Sequence, residues 1–339
     1  MMKFKSYCVI LASFFVLALS SCKKQETSKV YMNGKLSIQC EIPNYVTPGE
    51  KYEIKASGIS APDGTDVGYY FASSARKDHR DTILNSSVTY YYEIPDTLGN
   101  FTLTVAAFPV KSSDKYFVSN AFIYFTVVKD DPVNGSITDL PAHEDDMVEK
   151  LHGRDYSITS VGGRDWIRAN LSYVERDASG KETFGRSYAG SRAMQNIFGA
   201  FYTWKEAQKA CPEGWHLPSE SEWVALLKAS GAPSDLKPFE NSPSGAGQLM
   251  VKAKFNGNLM WLYYRDVKIT DKSISVIPVG YAALEDGWVY IGYQSYAAFW
   301  TSDEFDGKGV YRYIYKENDN VYVGAADKDY FAASVRCVR

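Results

Sequence analysis

An all-β sandwich followed by an α+β domain is the architecture this sequence predicts. Three observations lead there. The chain has 339 residues, more than one hydrophobic core usually supports, so two domains are expected. Aromatic residues reach 15%, with 26 Tyr, 17 Phe and 7 Trp, and these residue types favour strands. Helical periodicity is missing between Gly34 and Lys129 and enters only in the second half, together with helix-capping signals. Lys and Arg number 37 against 40 Asp and Glu. With no basic excess to meet phosphates, a nucleic-acid partner is not expected.

The chain opens with an address. Lys3 and Lys5 precede an uncharged apolar run of 12 residues, Cys8–Leu19. Such a run suits a signal-peptide core and is too short for a spanning helix of about 20 residues. It ends in Leu19-Ser20-Ser21-Cys22, which resembles the lipobox of bacterial lipoproteins. The resemblance implies a signal peptide over 1–21, lipid attachment at Cys22, and a membrane partner reached through that anchor. Lys23 is not the Asp that retains some lipoproteins at an inner membrane. An outer-membrane lipoprotein, surface-exposed rather than periplasmic, is therefore the expectation. Polar residues 22–33 form the tether.

Residues 34–129 alternate strand and turn. Six β-prone runs are Lys35–Ile42, Tyr52–Ala56, Val67–Ala72, Val88–Ile94, Phe101–Phe108 and Phe117–Val128. Thr47-Pro48-Gly49, Pro62-Asp63-Gly64 and Pro95-Asp96-Thr97-Leu98-Gly99 supply the turn chemistry between them. Six or seven short strands over this length fit an immunoglobulin-like or related sandwich. Residues 130–150 carry two prolines and acidic pairs. They read as a linker with one short helix near Asp145–Lys150.

The second half, 151–339, begins with a hairpin. Tyr156–Val161 and Arg164–Ile167 flank Gly162-Gly163. Two capping boxes follow, Thr203 with Glu206 and Ser219 with Glu222. The first helix stops at Cys211-Pro212. The second shows Trp223, Leu226 and Leu227 on one face. After a loop over Ser234–Gly247 come strands at Val276–Tyr281, Trp288–Tyr293, Ala298–Ser302, Val310–Tyr315, Val321–Gly324 and Ser334–Val338.

Of five Cys, Cys8 falls in the signal peptide and Cys22 takes the lipid. Cys40 sits in a strictly alternating strand, on its buried face. Cys211 and Cys337, both in the second half, are the expected disulfide.

The second half also carries a family likeness. Val161-Gly162-Gly163-Arg164-Asp165-Trp166-Ile167-Arg168-Ala169-Asn170-Leu171 comes first, then Tyr202-Thr203-Trp204-Lys205-Glu206-Ala207. Cys211-Pro212-Glu213-Gly214-Trp215-His216-Leu217-Pro218-Ser219 with Glu222-Trp223 follows, and Ser334-Val335-Arg336-Cys337-Val338 closes the series. Together they resemble the Fibrobacter succinogenes major paralogous domain. The resemblance implies a C-type-lectin-like fold, related to formylglycine-generating enzymes, and carries no established activity. His216 reads as structural, and Trp166, Trp204, Trp223 and Trp300 as core.

The functional expectation is a non-catalytic envelope protein that displays this domain to a glycan or an envelope protein, without a metal or other cofactor. Formylglycine-generating relatives need paired active-site thiols, and here both cysteines of the second half are expected in the bridge, so an enzyme is the least favoured reading. A structural or appendage-associated subunit is the alternative. Asn318-Asp319-Asn320 reads as a turn rather than a calcium site. Candidate ligand residues are Tyr263, Tyr264, Trp288 and Tyr293, from the densest aromatic cluster, because aromatics on loops stack on sugars or anchor protein partners.

Overall fold

The computed structural model describes residues 28–76, 79–143, 146–262 and 267–339. Residues 1–21, Cys22, Tyr263 and Tyr264 lie outside the described residues. Strand outweighs helix, 44% to 10%, so the chain is mostly β. Two compact units divide at Val127–Val128. No helix among the described residues is long and apolar enough to cross a membrane.

In the first unit β1 (Asn33–Cys40), β3 (Lys51–Ser60) and β6 (Val88–Glu93) form one antiparallel sheet. The second sheet runs in the order β2 (Tyr45–Val46), β8 (Ser119–Val127), β7 (Gly99–Pro109), β4 (Val67–Ser73), β5 (Arg80–Ile83). The period-2 pattern turns Ile54, Ala56 and Tyr92 of one sheet toward Tyr69, Phe71, Leu103, Val105 and Phe125 of the other, all in one buried core. Phe71 stacks on Tyr90 with centroids 4.1 Å apart, and the Tyr92 hydroxyl lies 2.6 Å from Ser73 Oγ. Cys40 packs against this core, and its Sγ accepts from the Ile42 N–H at 3.4 Å. The strands β2 and β5 are additions to the expected set. One is two residues long and the other, Arg-Asp-Thr-Ile, is too polar to signal itself.

The stretch expected as a linker is built into the second unit. It contributes β9 (Ile137–Thr138) and β10 (Met147–Leu151) to two of its sheets. The helix expected near 145–150 is thus a strand where the residues are described. The reason is the turn after it. His152 and Gly153 both have positive φ, 48° and 83°, the two-residue hairpin geometry that matches strand twist. This sets Leu151 opposite Arg154 and Met147 opposite Ile158 in β11 (Arg154–Val161). The Gly162-Gly163 turn then joins β11 to β12 (Arg164–Ile167), as the sequence predicts. A Cβ on Gly162 would strike the backbone of Ala225 and Leu226 at 2.7 Å, so the turn is also a packing contact.

Short pairs follow: β13 (Glu175–Arg176) with β14 (Glu182–Phe184), and β17 (Lys254–Phe255) with β18 (Asn258–Leu259) and β9. The main sheet is ordered β15 (Arg186–Ser187), β16 (Ala200–Thr203), β24 (Phe331–Ser334), β21 (Tyr296–Phe305), β22 (Lys308–Tyr315), β23 (Val321–Ala326). A hairpin of β19 (Tyr281–Leu284) and β20 (Trp288–Ile291) joins it through β24. The run expected from Val276 becomes a strand only at Tyr281, because Pro278 has no N–H to give a ladder.

Helix α1 (Gln195–Phe198) is a single turn, as is α4 (Ala246–Leu249). Between them in sequence, α2 (Trp204–Ala210) and α3 (Glu220–Ala229) each begin with the full reciprocal capping box the sequence shows. The α3 face of Trp223, Leu226 and Leu227 packs with Ala297, Phe299, Ile314 and Val321. A second core holds Tyr202, Ala207, Ala298, Trp300 and Cys337.

Candidate functional site

The main sheet alternates strictly between these two cores. On β22, Arg312 and Ile314 point one way and are buried, while Tyr311, Tyr313 and Tyr315 point the other and are half-buried. Arg312 is fixed by a fully buried ion pair with Glu220, whose carboxylate also accepts the Phe239 N–H at 2.8 Å. The side of the sheet carrying Tyr311 and Tyr313 has small residues opposite large ones. Ala298 faces Tyr313 and Gly324 faces Tyr311 across neighbouring strands. A Cβ on Gly324 would sit 2.6 Å from the Tyr311 ring, and one on Gly309 2.3 Å from the Trp204 ring. The small positions leave space for rings to lie across the strands.

The result is an aromatic row that crosses the sheet. Phe331 stacks on Tyr281 at 5.0 Å, and Tyr281 meets Tyr296 edge-on at 5.3 Å. Tyr296 stacks on Tyr313 at 4.9 Å, and Tyr313 on Tyr322 at 5.0 Å. Tyr311 closes the row laterally, 4.8 Å from Phe331 and 5.7 Å from Tyr313. All six rings are half-buried. Stacks of nearly parallel rings at this spacing are offset, so each ring overlaps only part of the next.

The hydroxyls are held as well. Burial pushes the Tyr296 phenol well above its usual range, and its hydrogen bond with Tyr311 adds to this. Burial likewise raises Tyr311 and Tyr313. At the far end the Tyr322 hydroxyl accepts from Asn318 Nδ2 at 2.8 Å and Asn320 Nδ2 at 3.1 Å. Between them Asp319 turns away, and its carboxylate accepts the Gly245 and Gly247 N–H groups at 3.1 and 2.6 Å. The turn expected at Asn318-Asp319-Asn320 thus organises one end of the row.

The two described candidates from the sequence, Trp288 and Tyr293, lie elsewhere, packed on the chain itself. The Arg186 guanidinium sits 4.0 Å from the Trp288 ring centroid and is clamped by Glu206 at 2.9 and 2.7 Å. Tyr293 packs among Phe198, Phe255 and Tyr188, at 5.4, 6.2 and 6.1 Å. Between them in sequence, Tyr290 donates to the Ser187 carbonyl at 2.6 Å, and burial pushes its phenol up to about 12. The aromatic row shares none of these residues.

A model of the Fibrobacter succinogenes major domain matches residues 159–339. The chain belongs to that family. No curated protein matches it. Within this Fibrobacter succinogenes major domain the motif residues are framework. Cys211 and Cys337 are joined in a disulfide, with Cα atoms 5.7 Å apart. His216 exchanges backbone hydrogen bonds with Val338, both 2.9 Å, and its ring meets Glu222 Oε1 at 2.9 Å. Arg336 is fully buried and donates to Asn170 Oδ1 at 2.9 Å and to the Ile274 carbonyl at 2.5 Å. Burial pushes its guanidinium down to about 9. Trp166, Trp223 and Trp300 are buried, as the sequence predicts, whereas Trp204 is half-buried over Gly309. Among the described residues no three His, Cys, Asp or Glu side chains converge as a metal site. Carboxylates of the second unit serve local contacts. Asp329 pairs with Lys205 at 2.7 Å, Glu304 with Lys328 at 2.7 Å, and Asp303 accepts the Glu220 N–H at 2.7 Å.

Proposed function

We propose that this chain is a non-catalytic, cell-envelope lipoprotein whose Fibrobacter succinogenes major domain recognises a glycan or a protein partner without a bound metal. Lipid on Cys22 would anchor it to the outer membrane, facing the medium. The first unit would be an immunoglobulin-like spacer, and the second a C-type-lectin-like recognition domain. The observation that carries the reading is the aromatic row. It places six half-buried rings and a set of neutral hydroxyls on one side of a sheet whose other side is anchored by α3 and the Arg312–Glu220 pair. Rings with a polar tip on a rigid base are the usual chemistry of recognition surfaces.

The alternative, a structural or appendage-associated subunit, draws support from the first unit. Phe122 and Tyr124 on β8 are 41% and 68% exposed, more apolar surface than a simple spacer needs. A glycan array and a pull-down from envelope extract, each with and without chelator, test the proposal. Chelator-insensitive binding is expected. Binding abolished by chelator would overturn the metal-independent reading. Incorporation of the chain into a polymer with no ligand found would favour the structural one.

A further inference from the structure

We infer that the row Phe331, Tyr281, Tyr296, Tyr313, Tyr322, with Tyr311 beside it, is a binding site for an uncharged polysaccharide. The inference rests on the binding reading above and moves the site from the loops to the sheet. Three features of the row select the ligand.

The first is amphipathy. A pyranose ring has an apolar C–H face and a rim of hydroxyls, and needs an aromatic face beside hydrogen-bonding groups. Five of the six rings pack against the second core, and Tyr313 is stacked on both faces, by Tyr296 and Tyr322. The row therefore offers a sugar ring edges and the offset margins of the faces beside the hydroxyls. Its rings are half-buried, and the Tyr296 and Tyr311 hydroxyls are hydrogen-bonded to each other. The Asn318 and Asn320 amides stand at its end, on Tyr322. Each amide nitrogen has a second N–H, so a sugar hydroxyl at this end finds donors without breaking the contact to Tyr322.

The second is charge. The row consists of phenols and one Phe, which carry no charge at neutral pH, and burial only raises the Tyr296, Tyr311 and Tyr313 phenols further. An anionic glycan would need cationic side chains among the rings, and the row brings none.

The third is spacing. Successive rings along the row are 5.0, 5.3, 4.9 and 5.0 Å apart, because each step crosses about one strand spacing. An extended chain of equatorially linked pyranoses repeats at nearly this distance. A chain laid across the strands therefore meets one ring per sugar, which favours a polymer over a single sugar. A flat protein partner would have no need of this repeat.

Affinity electrophoresis of the full chain in detergent tests the assignment. The gels contain xylan or hydroxyethylcellulose as neutral polymers with the extended equatorial repeat, starch or dextran as neutral polymers without it, and carboxymethylcellulose as an anionic polymer with it. At least one of the first pair should retard the chain, and carboxymethylcellulose should not. Retardation by starch or dextran alone would overturn the spacing argument. Tyr313→Ala, at the centre of the stack, should weaken retardation at least tenfold. Tyr322→Ala, at its end, should weaken it severalfold and guards against the central variant failing to fold, which thermal unfolding checks. Tyr124→Ala in the first unit should change nothing. Retardation by a neutral polymer that survives both row variants overturns the site while leaving the binding reading intact. No retardation by any neutral polymer overturns the inference, and capture of an envelope protein lost with Tyr322→Ala would make the row a protein-binding surface instead.

Discussion

Removing the Cys211–Cys337 bridge should destabilise the second unit alone. The cysteines are 126 positions apart, and chain entropy sets the contribution of so long a loop at about 5 kcal/mol as a ceiling. Some of the closure survives without the bond. His216 and Val338 keep their two backbone hydrogen bonds of 2.9 Å, and the Ile167 N–H donates to the Cys337 carbonyl at 3.2 Å. An expected loss of about 3 kcal/mol follows, within the range measured for native disulfides. At 2–4 °C per kcal/mol that corresponds to a fall in Tm of roughly 6–12 °C. The assay is favoured by the sequence, because all 7 Trp fall after Val128, within the second unit. Urea unfolding of the Cys211→Ala/Cys337→Ala double variant, followed by tryptophan fluorescence, therefore reads that unit without interference. Cys40→Ala should leave the tryptophan transition in place. A loss below about 1 kcal/mol in the double variant would refute the entropic reasoning.

Three further outcomes follow from named contacts. Arg312→Ala leaves the Glu220 carboxylate buried and unpaired and should cost about 3–5 kcal/mol by denaturant unfolding, whereas the Arg312→Met/Glu220→Leu double variant should recover much of that loss. Burial pushes the Glu222 carboxyl up, but hydrogen bonds from the Ser219 N–H, the His216 ring and the Ser219 hydroxyl hold it below its usual range. A folded-state pKa below the unfolded value of about 4.3 gives stability that is present above that pH and lost as pH falls through the folded value, so Glu222→Gln should flatten the acid limb of stability against pH. Cys22→Ser should move the protein from the membrane fraction to a soluble or unprocessed form, and persistent palmitate labelling of the variant would contradict the lipobox.

Local signals were legible in the sequence. Thr203 with Glu206 and Ser219 with Glu222 are three positions apart, and each box forms as written. Gly162-Gly163 makes its hairpin for the same reason, since two residues decide the turn. The β10 strand was not legible, because His152-Gly153 carries the turn with a non-glycine at positive φ and the acidic run before it resembles a linker. The aromatic row was not legible either. Its members come from β19, β21, β22, β23 and β24, and their proximity is set by strand order rather than by spacing along the chain. The candidates Trp288 and Tyr293 stand out in the sequence because their rings are near neighbours along the chain. In the fold, Trp288 and Tyr293 pack on Arg186 and Phe198 while Tyr296 joins the row.

Tyrosine nitration of the full chain, with and without the polysaccharide that retards it, tests the central claim most directly. Tyr91, Tyr124 and Tyr330, at 67%, 68% and 61% exposure, are internal controls outside the row. Mass spectrometry of the nitrated peptides should show Tyr313 and Tyr322 protected by the polysaccharide and the three controls unchanged. Protection of the controls to the same degree, or a row whose nitration does not respond, would contradict recognition through this sheet.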